Sequence, residues 1–396
     1  MIRIAIIEFS YHAELLNSLG ELFSESNIEV TFYISLNVYQ SLSSEVTKQI
    51  KSVVLPTDVS LRKYFQKVTP ELNGFDLVVF NTVADQYAAF RDLSLQVPTI
   101  LRIHNVHASF APFSHIYIEF SPYFIWKAFS YLVRRQVFQL DWYYQFKFLK
   151  KINYFSFLTR DVESYAQKWV EARRIGPRLP AELCKIDLTN PSVHAPDLPF
   201  HIVIPGEINK RKRDYHLLYR ALAQAANAFN RKVRITLLGK PRDSYGRKMI
   251  ELFETLSNDT TAIVNFNKRV SENDFESAMH SAHLIVAPVK LNTTFAIYRE
   301  YYGLTKISGA QSDAIRYGKP LLIPAGLNVD SKLSALTWKY KNETELIEHL
   351  INLVNTNTLN LHLNAQIEGL SHFTKKKLLP RVTQELTAFL KQQKPI

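Results

Sequence analysis

The sequence YGLTKISGAQSDAIRYGKPLLIP, residues 302–324, contains a complete helix–strand unit. Ser308 is followed three residues later by Gln311, which is the capping-box pattern and predicts that a helix begins after Ser308. Gly318 and the Lys-Pro pair behind it then end the helix. The apolar run 321–324 predicts a buried strand. A capped helix that leads directly into an apolar strand is typical of a parallel sheet covered by helices.

The same alternation extends through the first half of the chain. Short apolar runs alternate there with amphipathic stretches, which is the βαβ rhythm of a doubly wound sheet. The predicted helices are Glu14–Ser24, Ala84–Leu93 and Asp161–Val170. The predicted strands are Ile2–Phe9, Ile28–Ser35, Lys51–Leu55, Asp76–Asn81, Thr99–His104 and Ile152–Leu158.

A proline-rich stretch, Asn190–Phe200, predicts a linker, and the alternation restarts after it. Strands are predicted at His201–Pro205, Val233–Leu238, Ala262–Phe266, Leu284–Pro288 and Pro320–Pro324, and helices at Asp214–Phe229, Ser244–Leu256, Ser271–Ser281, Gly309–Tyr317, Glu343–Val354 and Arg381–Lys391. The expected fold class is α/β, with two doubly wound Rossmann-like domains facing a cleft. The predicted domains are residues 1–192, residues 193–375, and a C-terminal helix, residues 376–396, that packs back on the first domain.

Composition narrows the function classes. The 396 residues are 46% hydrophobic and 21% charged, which is ordinary globular composition, and only 11 are glycine. No G-x-G-x-x-G and no Walker loop occurs. The single cysteine, Cys184, excludes an internal disulfide framework and fits a reducing compartment. The N-terminal stretch predicts a strand rather than a signal peptide, so a cytoplasmic protein is expected.

Net charge favours a polyanionic partner. The chain carries 48 Lys and Arg against 36 Asp and Glu, a balance of +12. Residues 1–195 contribute 20 − 18 = +2, so residues 196–396 contribute 28 − 18 = +10. The anion-binding half is therefore expected to be the second one.

The predicted helix start at Ser308 is a candidate anion site. Backbone amides in the first turn of a helix lack partners inside the helix, and the helix dipole adds positive charge there. Gly309 and Ala310 would supply these amides, and Lys306 lies two residues before the cap. Asp313, one turn later, could accept hydrogen bonds from a ribose diol. Alternatively, Asp313 only complements the helix dipole.

A second cationic group lies in IPGEINKRKRDY, residues 204–215. Loops after parallel strands open at the edge where such sheets bind ligands. Two basic groups and a helix start at that edge are what a diphosphate requires. A solvated basic loop is the simpler alternative. The loop's glycine and basic residues are Gly206, Lys210, Arg211, Lys212 and Arg213.

These motifs resemble the donor domain of nucleotide-sugar glycosyltransferases with the GT-B fold, particularly the large retaining family of bacterial polysaccharide and glycolipid enzymes. The resemblance covers about residues 200–325 and lies in the order of four segments. They are IVIPGEINKRKRDY (202–215), VRITLLGKP (233–241), VNFNKRVSENDFESAMHSAHLIVAPV (264–289) and SDAIRYGKPLLIP (312–324).

The resemblance implies a donor that is a nucleoside diphosphate sugar, with UDP expected over GDP. Its ribose would bind Asp313, and its base would meet the backbone near Phe266–Val270. The diphosphate would be held by Arg211, Lys212, Arg213, Lys306, Gly309 and Ala310.

The sequence departs from the family at its paired glutamates. Alignment from GKP puts them on Thr305 and Asp313, whereas alignment from the preceding YG puts them on Glu300 and Ser308. Glu300 and Asp313 are both candidates, although they are 13 positions apart. Glu300 is a catalytic candidate, together with His104, and Thr305 and Ser308 are candidate sugar contacts.

In the first half, His104 ends a predicted strand in TILRIHNVH, where many enzymes of this family place a histidine that faces the donor sugar. It would bond the sugar or assist proton transfer, or else be bonded in a turn. Asn105 and His12 are candidate sugar or acceptor contacts. His107 forms an HxxH pair with His104, but no third ligand has suitable spacing and no D-x-D occurs, so no metal is expected.

Residues 115–157 break the pattern because they contain 16 aromatic residues. Residues 120–155 carry six basic residues against the single Asp141. The stretch is either a long helix packed on its aromatic face or an amphipathic surface at an anionic membrane or lipid-linked acceptor.

These observations predict a hexosyltransferase that moves sugar from a nucleoside diphosphate to a glycan or lipid-linked acceptor in bacterial polysaccharide or glycolipid synthesis. It would be cytoplasmic or peripheral on the inner membrane face, with no other cofactor. One alternative is a sugar-nucleotide epimerase of the same fold, which needs carboxylates that the motifs offer sparsely. The other is a basic nucleic-acid-binding protein, which is disfavoured because the aromatic residues lie in the near-neutral half.

Overall fold

The computed structural model describes residues 1–10, 12–24, 26–117, 122–179, 199–356, 359 and 363–393. Contacts divide the chain into two compact units. Unit 1 comprises Met1–Cys184, Phe295–Glu300 and Lys375–Ile396. Unit 2 comprises Lys185–Thr294 and Tyr301–Thr374. Cys184 and all but the last two residues of the predicted linker lie outside the described residues.

Unit 1 is built on a six-stranded parallel sheet in the order β3-β2-β1-β4-β5-β6. The apolar runs become its strands, and the central ones are buried on both faces, as a helix-covered parallel sheet requires. The strands are β1 (Ile2–Glu8), β2 (Ile28–Ser35), β3 (Lys51–Leu55), β4 (Leu77–Thr82), β5 (Thr99–Ile103) and β6 (Tyr154–Phe157). The helices up to the gap at 180–198 are α1 (Ala13–Phe23), α2 (Leu36–Tyr39), α3 (Ser44–Gln49), α4 (Leu61–Leu72), α5 (Val106–Phe110), α6 (Pro122–Leu132), α7 (Asp141–Lys151) and α8 (Arg160–Ala166).

Unit 2 repeats this architecture with the sheet order β14-β13-β10-β7-β8-β9. The strands of this sheet are β7 (Phe200–Pro205), β8 (Val233–Leu238), β9 (Thr261–Asn265), β10 (Leu284–Val286), β13 (Leu321–Pro324) and β14 (Thr337–Tyr340). Outside this sheet, β11 (Asn292–Phe295) pairs with β12 (Tyr298–Tyr301) in a separate hairpin. The helices are α9 (Tyr215–Ala225), α10 (Ser244–Glu254), α11 (Glu272–Ser281), α12 (Gly309–Tyr317), α13 (Glu343–Asn355) and α14 (Leu363–Ser371). Two doubly wound α/β units confirm the predicted fold class.

The last helix, α15 (Lys375–Gln393), belongs to unit 1 and packs against α1. Its buried side chains recur every three or four residues, which gives one apolar stripe along the helix. They join the core cluster that contains Leu16 and Leu19 of α1. The hairpin residues 295–300, which the sequence assigns to the second domain, also group with unit 1.

One predicted helix is absent from the structure, and one long helix of the structure was not predicted. Ala84–Leu93 is not a helix: Gln86 has φ 58°, which interrupts helical backbone, and only the one-turn 3-10 helix Tyr87–Phe90 forms. Helix α4 was not predicted, although Tyr64, Phe65, Val68 and Leu72 form its buried stripe. Pro70 sits in its last turn, which is the residue that argues against a helix from sequence alone.

The aromatic stretch is also not one long helix. Helix α6 runs into a π-helical turn, Val133–Phe138, and α7 begins after Leu140, which has φ 49°. Among the described residues, none of the helices combines the length and the apolar character needed to cross a membrane.

Candidate functional site

The cationic loop of unit 2 is built on two glycines that follow neighbouring strands. Gly206, after β7, has φ 95°, and its amide donates to the Leu238 carbonyl at 2.9 Å. A Cβ added at Gly239, after β8, would lie 2.2 Å from the Gly206 oxygen. Gly206 is required by its positive φ, and Gly239 is required because the backbone of the neighbouring strand end lies too close for a side chain.

Arg213 lies against the backbone of this turn. A Cβ added at Gly206 would lie 2.4 Å from the Arg213 Nη2 atom, and Arg213 Nη1 donates to the Glu207 carbonyl at 3.2 Å. Arg213 also pairs in an antiparallel bridge with Val289, and the Lys290 amide donates to the Lys212 carbonyl at 2.9 Å. These contacts hold the Lys212–Arg213 backbone beside the chain that leaves β10.

Lys212 belongs to a cluster of charges. Burial lowers the pKa of the Lys212 ammonium, the positive charges of Lys306 and Arg213 lower it further, and Tyr302 and Glu207 act in the opposite direction. Lys306 Nζ lies 5.2 Å from the centre of the Tyr302 ring, so the cation sits over an aromatic face. The structure therefore brings Lys212, Arg213 and Lys306 together in unit 2.

Glu207 carries the counter-charge of the loop. Burial alone would raise the pKa of its carboxyl group, but hydrogen bonds and charge from Asn209 and Arg242 outweigh burial and hold the pKa below its ordinary value. Glu207 Oε2 accepts from both side chains at 3.1 Å. The carboxylate is therefore ionised and engaged on the side of Arg242.

Helix α12 begins as predicted, with Ser308 as N-cap, and ends at Gly318 with φ 62°. One part of the predicted anion site is wrong: the Ala310 amide donates to Ser308 Oγ at 3.3 Å, so the cap itself takes that amide. The Gly309 amide has no hydrogen-bond partner within the described residues, and a Cβ added at Gly309 would meet nothing within 4 Å. The helix start is thus open only at Gly309.

The other predicted residues of unit 2 differ in how far their side chains are buried. Asp313 is half-buried on α12. Thr305 is fully buried, and its hydroxyl bonds the amide and the carbonyl of Tyr301, so it shapes the turn before the helix and presents no group to a sugar. Ser308 is buried as the cap. Arg211 is half-buried, with its amide fixed by Asn209 Oδ1 at 2.9 Å.

Unit 1 contains a pocket at the carboxyl ends of β1, β4 and β5, where parallel sheets bind ligands. The polar side chains that line it are His12, Thr82, Arg102, His104, Asn105, Ser109, Arg135, Gln145 and Tyr298.

Two histidine rings stack in this pocket. The centres of the His12 and His104 rings lie 4.5 Å apart with planes within 7°. His104 Nε2 lies 2.8 Å from the Asn81 carbonyl, which requires that nitrogen to carry the proton. His12 Nδ1 lies 2.8 Å from Glu14 Oε1, and Nε2 has no hydrogen-bond partner within the described residues.

Glu14 tunes His12. Burial alone would lower the pKa of His12, but the hydrogen bond and charge of Glu14, helped by Glu8, outweigh burial and raise the pKa above 6.5. A carboxylate on Nδ1 leaves Nε2 as the proton acceptor of the neutral ring. Glu14 was not among the predicted site residues, although EFSYHAE places the carboxylate two residues after His12, at the start of the helix that follows β1.

The predicted site residues Asn105 and Glu300 both lie at the start of α5 and differ in the hydrogen bonds that they make there. Asn105 is the N-cap residue of α5 but makes no side-chain cap bond, and its buried Oδ1 lacks a hydrogen-bond partner within the described residues. Glu300 is fully buried, and its Oε1 accepts from the Ala108 amide in the first turn of α5 at 2.9 Å. Glu300 therefore caps the helix, and no sugar contact is retained for it.

His107 does not share a site with His104. Its ring stacks on His115 at 3.6 Å, its Nδ1 lies 2.6 Å from the Arg299 carbonyl, and its Nε2 lies 2.8 Å from the Tyr165 hydroxyl. Burial lowers the pKa of His107 to about 4. It is a neutral histidine of the unit 1 core rather than half of a metal pair.

Comparison with known proteins identifies the architecture. Neither a protein-family model nor a curated protein matches the sequence. Among solved structures, Anabaena HepE in complex with UDP aligns at 12% identity and a TM-score of 0.59, over 98% of this chain and 100% of that one. A Staphylococcus aureus TarM mutant in complex with fondaparinux, alpha-GlcNAc-glycerol and UDP aligns at 8% identity and a TM-score of 0.59, with the same coverage of 98% and 100%.

A Listeria monocytogenes protein assigned as a UDP-N-acetylglucosamine 2-epimerase aligns at 12% identity and a TM-score of 0.51, over 96% of this chain and 94% of that one. Identities this low establish architecture and not chemistry. The chain has the GT-B fold, as the resemblance in the second half implies.

Proposed function

We propose that this chain is a glycosyltransferase that moves a hexose from a nucleoside diphosphate sugar, a UDP-sugar before a GDP-sugar, to a hydroxyl group of a glycan or lipid-linked acceptor. The single observation that carries the proposal is the cation cluster of unit 2. The positive charges of Lys306 and Arg213 act on the buried Lys212 ammonium there, and a diphosphate would relieve that repulsion.

The roles in unit 2 follow from charge. Lys212 and Lys306 would bind the phosphate oxygens and neutralise the charge that develops as the nucleoside diphosphate departs. The Gly309 amide adds a donor at the positive end of α12. Asp313 would bind the ribose, and Arg211 would lie at the edge of the site. Arg213 holds the Gly206 turn and contributes charge.

The role of unit 1 would be to activate the acceptor. A hydroxyl group must lose its proton as it attacks the sugar. The lone pair on His12 Nε2 would accept that proton in the pocket. Glu14 would hold the ring and stabilise the imidazolium that forms. Asn105 Oδ1 would accept a hydrogen bond from the bound molecule, and His104 would support the His12 ring by stacking.

The proposed chemistry needs no metal, because basic side chains supply the positive charge that a metal would otherwise bring to the diphosphate. Chelation with EDTA should therefore leave UDP release from a UDP-sugar unchanged. The setting we propose is bacterial polysaccharide or glycolipid synthesis at the inner membrane face, without nucleic acid.

The test is ligand binding by the purified full chain. Thermal-shift measurements with UDP, GDP and ADP should show stabilisation by one diphosphate, since a ligand of the native state raises the unfolding temperature. Titration calorimetry should then show that Lys306→Ala weakens binding more than tenfold, because each charge-assisted phosphate contact contributes about 1.5–3 kcal/mol.

The matched control is Lys341→Ala, an exposed lysine of unit 2 that follows the edge strand β14 and lies 4.0 Å from Glu345, and this variant should bind like the wild type. Equal affinity of wild type and Lys306→Ala would remove Lys306 from the site. Conversion of a UDP-sugar to its epimer, followed by NMR without any acceptor, would replace the transferase by the epimerase.

A further inference from the structure

Unit 1 carries an exposed aromatic surface that the proposed reaction does not use. Ten of the fifteen large hydrophobic side chains that are exposed in the described part of the chain lie between residues 113 and 146. Monomeric proteins rarely expose so many apolar groups together without a binding partner. We define the aromatic surface by Phe113, Tyr117, Ile125, Trp126, Phe129, Val137, Phe138, Leu140, Tyr143 and Phe146.

Helix α6 is apolar on both faces. Its inner face packs Ala128, Tyr131 and Leu132 against the hairpin residues Phe295–Tyr298. Its outer face presents Trp126, with 69% of its surface exposed, beside Ile125 and Phe129. An apolar helix face normally packs in a core or against lipid, and Ile125, Trp126 and Phe129 are exposed and lie in no core.

Helix α7 also carries apolar side chains on both sides, since Phe148 and Leu149 are buried in it. Asp141 and Gln145 point inward and are buried, whereas Tyr143 and Phe146 point outward. Asp141 pairs with Arg135 and accepts from the Tyr87 amide at 3.1 Å, so polar groups anchor the inner side. Phe138, at the end of the turn, is 78% exposed. The exposed aromatic rings are therefore held on a fixed framework.

The charge around the aromatic surface is positive. Arg134, Lys147 and Lys150 are exposed on the same helices, and Lys147 Nζ lies 4.3 Å from the centre of the Tyr143 ring. Asp141 is the only acidic residue in 122–151, and it is buried in its ion pair. Aromatic rings flanked by lysine and arginine are typical of surfaces that bind at lipid head groups.

From this combination we infer that the aromatic surface docks on the face of an anionic lipid bilayer. Trp126, Phe129 and Phe138 enter the interface, and Arg134, Lys147 and Lys150 bind the lipid phosphates. Each such basic group adds to the attraction of the protein to an anionic surface. A second copy of the chain fits worse, because a symmetric contact would oppose the same cations with no exposed acid in 122–151 to pair with them.

The docking can be tested without any nucleotide, so it stands or falls independently of the transfer reaction. Full-length protein is sedimented with vesicles of phosphatidylglycerol or of phosphatidylcholine, and tryptophan emission is recorded. We expect binding to phosphatidylglycerol vesicles with a blue shift of the emission, weaker binding at high salt, and at least tenfold weaker binding to phosphatidylcholine.

Two variants separate the apolar from the ionic part. Trp126→Ser with Phe129→Ser should reduce partitioning at least tenfold, and Arg134→Glu with Lys147→Glu should abolish the preference for phosphatidylglycerol. The matched control is Leu36→Ser with Tyr39→Ser, two exposed apolar residues of α2 in the same unit, which should sediment like the wild type. Thermal unfolding of every variant confirms that it is folded.

Several results would overturn the inference. One is equal partitioning of the wild type and of the Trp126 and Phe129 variant. Another is no sedimentation with phosphatidylglycerol vesicles at low salt. A third is a protein that does not bind vesicles and forms a dimer in light scattering. If the Trp126 and Phe129 variant were then monomeric, the aromatic surface would bind a second copy of the chain instead.

Discussion

At the scale of single residues, the pair His12 and Glu14 gives the most specific prediction about the mechanism. The Glu14 carboxylate raises the pKa of His12 above 6.5, and only the neutral ring can accept a proton at Nε2. The kcat/KM for UDP-sugar turnover should therefore fall as pH drops through that raised pKa. His12→Ala should lose about 100-fold in rate together with this acid limb.

The Glu14→Gln variant keeps the His12 ring but lowers its strength as a base. Without the carboxylate the pKa of His12 falls, so the acid limb of kcat/KM should move to lower pH. The control is Glu29→Gln, an exposed carboxylate of β2 in the same unit. An acid limb that stays in place in Glu14→Gln would show that another group titrates.

The contribution of this pair to the free energy of unfolding increases as pH falls, whereas kcat/KM decreases. A loss of stability from this pair therefore cannot produce the acid limb of kcat/KM. Because the folded pKa of His12 is raised, the pair stabilises the fold fully below pH 6.5, and that contribution is lost as pH rises through the folded pKa. Unfolding measured across the same pH range would expose a loss of activity that is only a loss of structure.

At the scale of elements, the two glycines of α12 have separate tasks. Gly318 has φ 62°, so Gly318→Ala forces a side chain into left-handed backbone and should lower the free energy of unfolding by about 1–2 kcal/mol. Gly309→Ala meets no atom within 4 Å and should change it by less than about 0.5 kcal/mol. Chemical denaturation measures both, and equal losses would contradict the helix end described here.

Most elements could be predicted from sequence because each is specified by local chemistry. The apolar run of β8 has no competing pattern, and the Ser308 cap and Gly318 stop define α12 to the residue. Helix α4 was missed because Pro70 masks a clear apolar stripe. The turn at Gln86 could not be foreseen, since the sequence does not reveal a left-handed residue that is not glycine.

The candidate site was less predictable than the fold, because contact between distant segments decides it. Lys212 was proposed from the loop that follows a strand and Lys306 from its place two residues before the Ser308 cap, and the charge of Lys306 acts on Lys212 in the structure. Glu300 and Thr305 carry suitable side chains, yet both are buried and bonded to backbone groups. Burial depends on the whole unit, and no local pattern reports it.

At the scale of the whole molecule, the two units divide the proposed work, and hydrogen exchange can resolve the division. The donor groups lie in unit 2, in the loop at Gly206–Arg213 and in the start of α12, whereas the stacked histidines lie in unit 1. Saturating UDP should therefore slow amide exchange most strongly at residues 206–213 and 303–312, where charge repulsion is relieved and the backbone is held.

The division makes a matched comparison possible within one sample. Strands β1 and β2 of unit 1 are an internal reference, since their buried amides exchange only on global opening, and a UDP effect there reports overall stabilisation alone. Lys306→Ala should remove the local protection and leave the reference strands unchanged. Protection that is strongest around His12 and His104 would move the nucleotide to unit 1 and reverse the proposed roles of the two units.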